Sequence, residues 1–184
     1  MRIAIPSETD ANEGRVAATP ETVKRFAGLG ATVAVQSGAG RSSGIPDADF
    51  AAAGATIAAD EAQTLKDADI VLKVRRPGEA ELPMMKPGAM VVAAMDPYGQ
   101  EAALAAMAKA GVSAFAMEFM PRITRAQSMD ILSSQANLAG YRAVIDGAAE
   151  YGRALPMMMT AAGTVPAATI GAPSGGLMPV PTGR

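Results

Sequence analysis

The feature that most constrains the fold is a regular alternation of short apolar segments with helical segments along residues 1–116. The segments predicted as strands are Arg2–Pro6, Thr32–Gln36, Thr56–Ala58, Asp69–Val74, Ala89–Ala94 and Ser113–Ala116. The segments predicted as helices are Pro20–Leu29, Asp47–Ala53, Asp60–Leu65 and Gly99–Ala110. Strands separated by helices at this spacing predict an α/β fold, with a flavodoxin-like or Rossmann-like parallel sheet that carries helices on both faces.

The ends of the predicted helices carry their own signals. Thr19 can cap the first helix, Pro20 suits its first turn, and Gly30 can end it. The tripeptide Gly-Ala-Thr occurs at Gly30–Thr32 and again at Gly54–Thr56. We interpret the two copies as one type of turn from a helix into a strand, used twice.

The chain changes character after residue 116. Met117–Ser128 holds two arginines and a proline and is predicted as a loop, whereas the Ala- and Leu-rich stretch Met129–Leu155 predicts one long helix or two closely joined helices. The Met-rich stretch from Pro156 to Gly163 is predicted as a loop, and frequent Pro and Gly from Thr164 onward predict an irregular tail. The predicted domains are therefore an N-terminal domain over residues 1–135, a long interdomain helix and junction over 136–163, and an irregular tail over 164–184.

Composition excludes several classes of function. The chain has 184 residues and a net charge of −2, without a long Lys/Arg block, so we expect no nucleic-acid partner. It contains neither cysteine nor histidine, which excludes disulfides and Ser-His-Asp catalysis within the chain, and we predict no metal site. No apolar run reaches the roughly 18–20 residues of a membrane helix, so we expect no direct membrane insertion.

A glycine-rich stretch, Gly38–Gly44, follows a predicted strand, and Asp60 lies downstream of it, so the region loosely imitates a dinucleotide-binding fingerprint. The glycine spacing departs from that fingerprint, and Ile45-Pro46 follows in place of a helix start. Without a helix N-terminus there is no positive dipole end for a pyrophosphate, so we interpret the stretch as a turn. The later stretch Gly171–Gly176 is a weaker imitation.

Four segments resemble one known family. They are the opening Asn12–Ala17 leading into Thr19-Pro20, the block from Ala31 to Ile57, the strand segment Asp67–Pro77 with Lys73, and Pro121–Arg142 (PRITRAQSMDILSSQANLAGYR). Together they resemble the family shared by alanine dehydrogenases and pyridine nucleotide transhydrogenase alpha subunits, over about residues 1–165. The segment Pro121–Arg142 closely resembles the transhydrogenase branch.

The resemblance implies the N-terminal region of the NAD(H)-binding alpha subunit of a proton-translocating NAD(P) transhydrogenase. NAD is then the cofactor, and NADP is carried by a partner subunit. A loop bearing Arg, Gln and Asp lies over the nicotinamide in that branch, which implies catalytic roles for Arg122, Gln127 and Asp130. Arg122, Asp130 and Ser133 are the implied cofactor-binding residues. We expect Arg122 and Asp130 to shape the loop, Ser133 to contact NAD(H), and Gln127 to reach toward NADP(H).

Simpler explanations of the same residues remain open. Arg122 and Asp130 could form an ordinary surface ion pair, and Asp130 could favour the start of the long helix through its dipole. On a helix, Asp130 and Ser133 would share one face. Arg15 and Lys73 match positions that bind substrate carboxylate and carbonyl groups in the dehydrogenase branch. Here we expect them to be structural, with the Lys73 amine at the carboxyl-end rim of the sheet.

The resemblance also implies partners and a location. They are the transhydrogenase beta subunit, a membrane-spanning subunit, a homodimer in the full-length family, and a cytoplasmic position peripheral to the inner membrane. Two departures from the family matter. Ala94–Tyr98 lacks the histidine of the dehydrogenase branch, and no GxGxxG turn follows Ala168. We therefore expect the chain alone to bind NAD weakly or not at all and to be inactive. The alternatives are an alanine or saccharopine dehydrogenase-type enzyme, or a non-catalytic α/β module that binds a partner through the long helix.

Overall fold

A computed structural model describes residues 1–168 and divides the chain into two compact units, Met1–Asp130 and the region from Ile131 onward. The strands of the first unit are β1 (Arg2–Ile5), β2 (Thr32–Gln36), β3 (Thr56–Ala58), β4 (Ile70–Arg75), β5 (Met90–Ala94) and β6 (Ser113–Ala116). Its helices are α1 (Pro20–Gly28), α2 (Asp47–Ala52), α3 (Glu61–Leu65) and α4 (Glu101–Lys109). The alternation predicted from sequence is confirmed, with β2, β3 and β6 at the predicted bounds.

The strands of the first unit form one six-stranded parallel sheet in the order β3-β2-β1-β4-β5-β6. Of the two sheet types left open by the sequence, this order is that of the Rossmann fold. The chain reverses its direction of travel across the sheet between β1 and β4. In open α/β sheets, the crevice beyond the carboxyl ends of the strands at such a reversal is the usual place for a ligand.

Two hydrophobic clusters cover opposite faces of the sheet. Successive residues of a strand point to opposite faces, and β1 shows this directly. Ile3 and Ile5 belong to the cluster that contains Val23 of α1 and Phe50 of α2. Ala4 belongs to the other cluster, in which residues of β4 and β5 pack with residues of α3, α4 and the loops between them. The prediction of helices on both faces is thus confirmed.

The predicted cap and turns are also present. Thr19 caps α1, where its side-chain oxygen accepts a hydrogen bond from the Thr22 N–H at 3.3 Å. Gly30 and Gly54 both have positive φ, at 82° and 99°. In each copy the following alanine N–H bonds back to a phenylalanine carbonyl, from Ala31 at 3.1 Å and from Ala55 at 3.0 Å. Both turns are therefore the same glycine-dependent helix ending.

The region after β6 differs from the prediction in three places. The predicted loop contains two 3₁₀ turns, Met117–Phe119 and Thr124–Met129. The long helix α5 spans Ile131–Glu150, shorter than predicted at both ends. The Met-rich stretch predicted as a loop forms an antiparallel hairpin of β7 (Met158–Thr160) and β8 (Gly163–Val165). The predicted irregular tail and Gly171–Gly176 lie outside the described residues, except for the few tail residues before 169.

The predicted domain limits at residues 135 and 163 stay predictions, although the first compact unit ends nearby, at Asp130. Between residues 1 and 168, no helix combines the length and the apolar character needed to cross a bilayer.

Candidate functional site

The candidate site lies along the segments that leave the carboxyl ends of the strands. These segments follow β1, β2, β4, β5 and β6, and they begin at Pro6, Ser37, Arg76, Met95 and Met117. Parallel strands bring all of these exits to one edge of the sheet. We call this edge the carboxyl rim. Every residue predicted to bind nicotinamide follows the last of the five exits.

The segment after β6 carries the predicted residues Arg122 and Gln127. Both side chains are exposed, and Arg122 takes part in no hydrogen bond or ion pair within residues 1–168. The predicted pairing of Arg122 with Asp130 is therefore not formed there, which leaves the guanidinium open to a ligand. The second 3₁₀ turn, which contains Gln127, is anchored at Ala126, which is 4% exposed and donates its N–H to the Ile123 carbonyl at 2.9 Å.

Asp130 and Ser133 stand at the junction of the two units. Asp130 has an extended backbone, with φ −77° and ψ 92°, and α5 begins only at the next residue. The prediction that both residues share one helical face is therefore wrong, because only Ser133 lies in the helix. Ser133 is exposed and Asp130 half-buried, and each takes part in a polar interaction. Asp130 does precede α5, so its charge favours the start of that helix.

A charged network holds the section of the rim where β1 and β4 end. The Glu13 side chain is only 5% exposed and pairs with Arg15 at 2.6 Å and with Arg75 at 3.1 Å. The hydrogen bond from the Arg15 side chain is the main reason that the pKa of Glu13 falls from 4.5 to about 2, against the opposing effect of burial. Glu8 accepts a hydrogen bond from the Val74 N–H at 2.7 Å, which ties the exits of β1 and β4 together. Arg15 is thus structural in the described chain, as expected.

Lys73 is buried rather than open at the rim. Its amine has no exposed surface and pairs with Glu81 at 2.5 Å, and Glu81 also accepts the Gly78 N–H at 2.7 Å. Glu61 lies beside this pair, and one of its oxygens is buried without a hydrogen-bond partner in residues 1–168. Burial, followed by the neighbouring Glu81 carboxyl, raises the pKa of Glu61. Sequence patterns single out Lys73 but not Glu81, since a lone glutamate in a loop carries no pattern.

The glycine-rich stretch after β2 is a turn that closes on itself. It contains a 3₁₀ turn at Arg41–Ser43, and α2 begins only at Asp47. The Asp47 carboxylate accepts hydrogen bonds from the Ser37 hydroxyl at 2.7 Å and the Gly38 N–H at 2.8 Å. Asp60 caps α3 by accepting the Gln63 N–H at 2.7 Å, so it has a structural partner. The geometry agrees with the turn interpretation.

Comparison with known proteins identifies the family. The family model described as "Alanine dehydrogenase/PNT, N-terminal domain" matches residues 4–139. The first of the separate polypeptides that make up NAD(P) transhydrogenase subunit alpha in Rhodospirillum rubrum is 54% identical over 175 residues, which cover 92% of this chain and 46% of that protein. The protein of the same description from Rickettsia prowazekii is 43% identical, over 91% of this chain and 45% of that protein.

Solved structures agree with these matches. The crystal structure of transhydrogenase from Sinorhizobium meliloti superposes with a TM-score of 0.88 at 60% identity, over 91% of this chain and 50% of that one. An L-alanine dehydrogenase superposes with a TM-score of 0.74 at 26% identity, over 81% of this chain and 40% of that one. The chain spans about half the length of these transhydrogenase relatives. It therefore belongs to the alanine dehydrogenase/PNT family, as a relative of the N-terminal region of transhydrogenase alpha subunits.

Proposed function

We propose that this chain is the N-terminal region of a subunit that binds NAD(H) and takes part in hydride transfer between NAD(H) and NADP(H), coupled to proton translocation. The observation that carries the proposal is the likeness to transhydrogenase alpha subunits, at 54% identity over 92% of the chain. That match includes the segment after β6, which leaves the carboxyl rim, where ligands of α/β sheets usually bind.

Hydride transfer between two nicotinamide rings needs no acid–base group of the protein, because both rings supply the chemistry. The protein has to hold the rings at a short distance in one orientation. Gln127 and Ser133 offer an amide and a hydroxyl that can hydrogen-bond a carboxamide. Arg122 offers an unpaired guanidinium fork, and Asp130 fixes the end of the loop. The absence of histidine from the chain disfavours the alanine dehydrogenase alternative.

The proposal extends to the assembly. The partners are an NADP(H)-binding beta subunit and a membrane-spanning subunit, and a second copy of the complete subunit forms a homodimer. The complex then has its nucleotide-binding domains in the cytoplasm, peripheral to the inner membrane. The names of the relatives support a subunit within a larger enzyme.

The test joins residues 1–168 of this chain to the remaining portion of the Rhodospirillum rubrum subunit and combines this hybrid subunit with the relative's partner subunits. We expect NAD(P) hydride exchange by the hybrid, and a loss of roughly 10- to 100-fold in the Arg122→Ala variant because ring positioning is impaired. Arg125→Ala is the matched control, since Arg125 is an exposed arginine of the same segment without a predicted role. Pyruvate amination without hydride exchange would support the dehydrogenase alternative instead.

The chain by itself gives a second measurement. The pyrophosphate and adenosine contacts belong to a GxGxxG-containing domain that is absent from residues 1–168. Isothermal titration of the 184-residue chain with NADH is therefore expected to show weak binding or none. Tight binding would contradict the assignment of the nucleotide contacts to another domain.

A further inference from the structure

The exits of β5 and β6 are joined through a turn whose backbone is held from both sides. Asp96 follows β5 and has φ +43°, in the left-handed region that residues other than glycine rarely adopt. A conformation of this kind persists only when its surroundings hold it. Met95, the residue before it, is 1% exposed, so the turn is built into the protein interior on one side.

Glu118 holds the N–H side of this turn. Its carboxylate accepts the Met95 N–H at 3.0 Å and also the Asp96 N–H. Two successive N–H groups that converge in this way form a small anion-binding concavity, and here the anion is a side chain of the protein. Burial raises the pKa of Glu118, but the backbone hydrogen bonds and the nearby Arg76 outweigh this effect and lower it, so the group is anionic at neutral pH.

Arg76 holds the carbonyl side of the same turn. Its guanidinium donates to the carbonyl oxygens of Met95 and Asp96, the latter at 3.1 Å, and to the Gln100 side chain at 3.1 Å. The two successive peptide groups are thus bound by an anion through their N–H groups and by a cation through their carbonyls. Removal of either charge leaves backbone groups without partners.

The turn is tied to the segment that carries the proposed nucleotide-binding residues. Glu118 lies in the first 3₁₀ turn after β6 and precedes Arg122 by one turn of chain. The neighbouring Phe119 ring meets the Tyr98 ring edge to face, with centroids 6.0 Å apart and planes at 80°. These contacts determine where the segment leaves the sheet and therefore where Arg122 and Gln127 can reach.

We propose that Glu118 and Arg76 are positioning residues for hydride transfer, because together they lock the Met95–Asp96 turn and thereby orient the segment that bears Arg122 and Gln127. This inference rests on the proposed function. Neither residue contacts the nucleotide. Their effect is on the orientation of the nicotinamide ring rather than on affinity, since most of the affinity comes from contacts in the other nucleotide-binding domain.

The test uses the hybrid subunit with its partner subunits. Glu118→Gln keeps one acceptor oxygen and turns an amide toward a backbone N–H, so we expect kcat to fall roughly 10- to 100-fold with little change in the KM for NADH. Arg76→Lys keeps the charge but cannot reach both carbonyls, and a smaller fall in kcat is expected. Asp69→Asn is the matched control, because Asp69 also accepts a backbone N–H, from Arg2 at 2.6 Å, and pairs with Lys86, but at the opposite ends of the strands.

Hydrogen exchange on the 184-residue chain separates this inference from the proposed function. In Glu118→Gln we expect faster exchange in residues 95–100 and 117–130, and in Asp69→Asn no change in either range. Unchanged exchange in residues 117–130 would overturn the inference even if the hybrid exchanged hydride normally. Faster exchange together with an unchanged kcat would also overturn it, while an inactive wild-type hybrid would count against the proposed function alone.

Discussion

Replacing Glu13 by glutamine tests the electrostatic account of the rim. The substitution keeps the shape of the side chain but removes the charge that holds Arg15 and Arg75. In the folded chain the pKa of Glu13 is lowered from 4.5 to about 2. A lowering of this size corresponds to about 3 kcal/mol of stability at neutral pH. The two arginine side chains are 46% and 56% exposed, so solvent screens the pairs, and we expect about 1–2 kcal/mol.

The sign of the pH dependence follows from the direction of this pKa change. The folded chain binds the proton of Glu13 less readily than the unfolded chain, so the stabilisation is complete above the unfolded pKa of 4.5 and is lost as the pH falls toward about 2. The difference in unfolding free energy between wild type and Glu13→Gln should therefore be largest at neutral pH. It should shrink steadily over that acidic range.

Urea unfolding followed by circular dichroism, from neutral pH down to about pH 2, measures this difference. Glu79→Gln is the control, since Glu79 is exposed and forms no ion pair within residues 1–168. Subtracting each variant from wild type removes the titration of the other carboxylates. A gap that stays constant with pH, or a Glu79→Gln gap as large as that of Glu13→Gln, would refute the reasoning.

Three further substitutions probe the interior by the same unfolding measurement. Lys73→Ala leaves the buried Glu81 charge unpaired and should cost about 3–5 kcal/mol, whereas a loss below about 1 kcal/mol would contradict a buried ion pair. Glu61→Gln should stabilise the chain increasingly as the pH rises above the ordinary glutamate pKa, because the folded state holds that proton more tightly. Gly40→Ala places a Cβ 2.6 Å from the Ile45 carbonyl oxygen and should destabilise, whereas Gly28→Ala meets nothing within 4 Å and should not.

The sheet can be predicted because its information is local. Each strand is a short apolar run that ends at a glycine or polar residue, and parallel pairing follows from the helices between the runs. Gly30 and Gly54 mark the two helix endings correctly because a positive φ leaves few other choices. The strand order among the α/β possibilities is not predictable, because pairing partners such as β1 and β4 lie far apart in sequence.

The region after β6 is harder to predict because its signals are weak. An Ala-rich run does not mark where a helix stops, so the sequence predicts a helix that continues past Gly152, whose φ is 55°. The hairpin of β7 and β8 carries no common turn signal, since its turn closes through the Thr160 hydroxyl and the Gly163 carbonyl at 2.8 Å. At the site, resemblance supplies Arg122 and Gln127, but Glu118 escapes sequence reasoning because its role depends on a turn that follows a different strand.

The central place of β1 in the sheet has a consequence for how the chain is synthesised. When translation has passed Ala58, β1, β2 and β3 have emerged and can pair, which completes one half of the sheet. The free edge of β1 then waits for β4, and β5 and β6 add outward in the order in which they leave the ribosome. An unpaired edge strand invites pairing with another chain. Nascent chains halted between β3 and β4 are therefore the ones most in need of a chaperone.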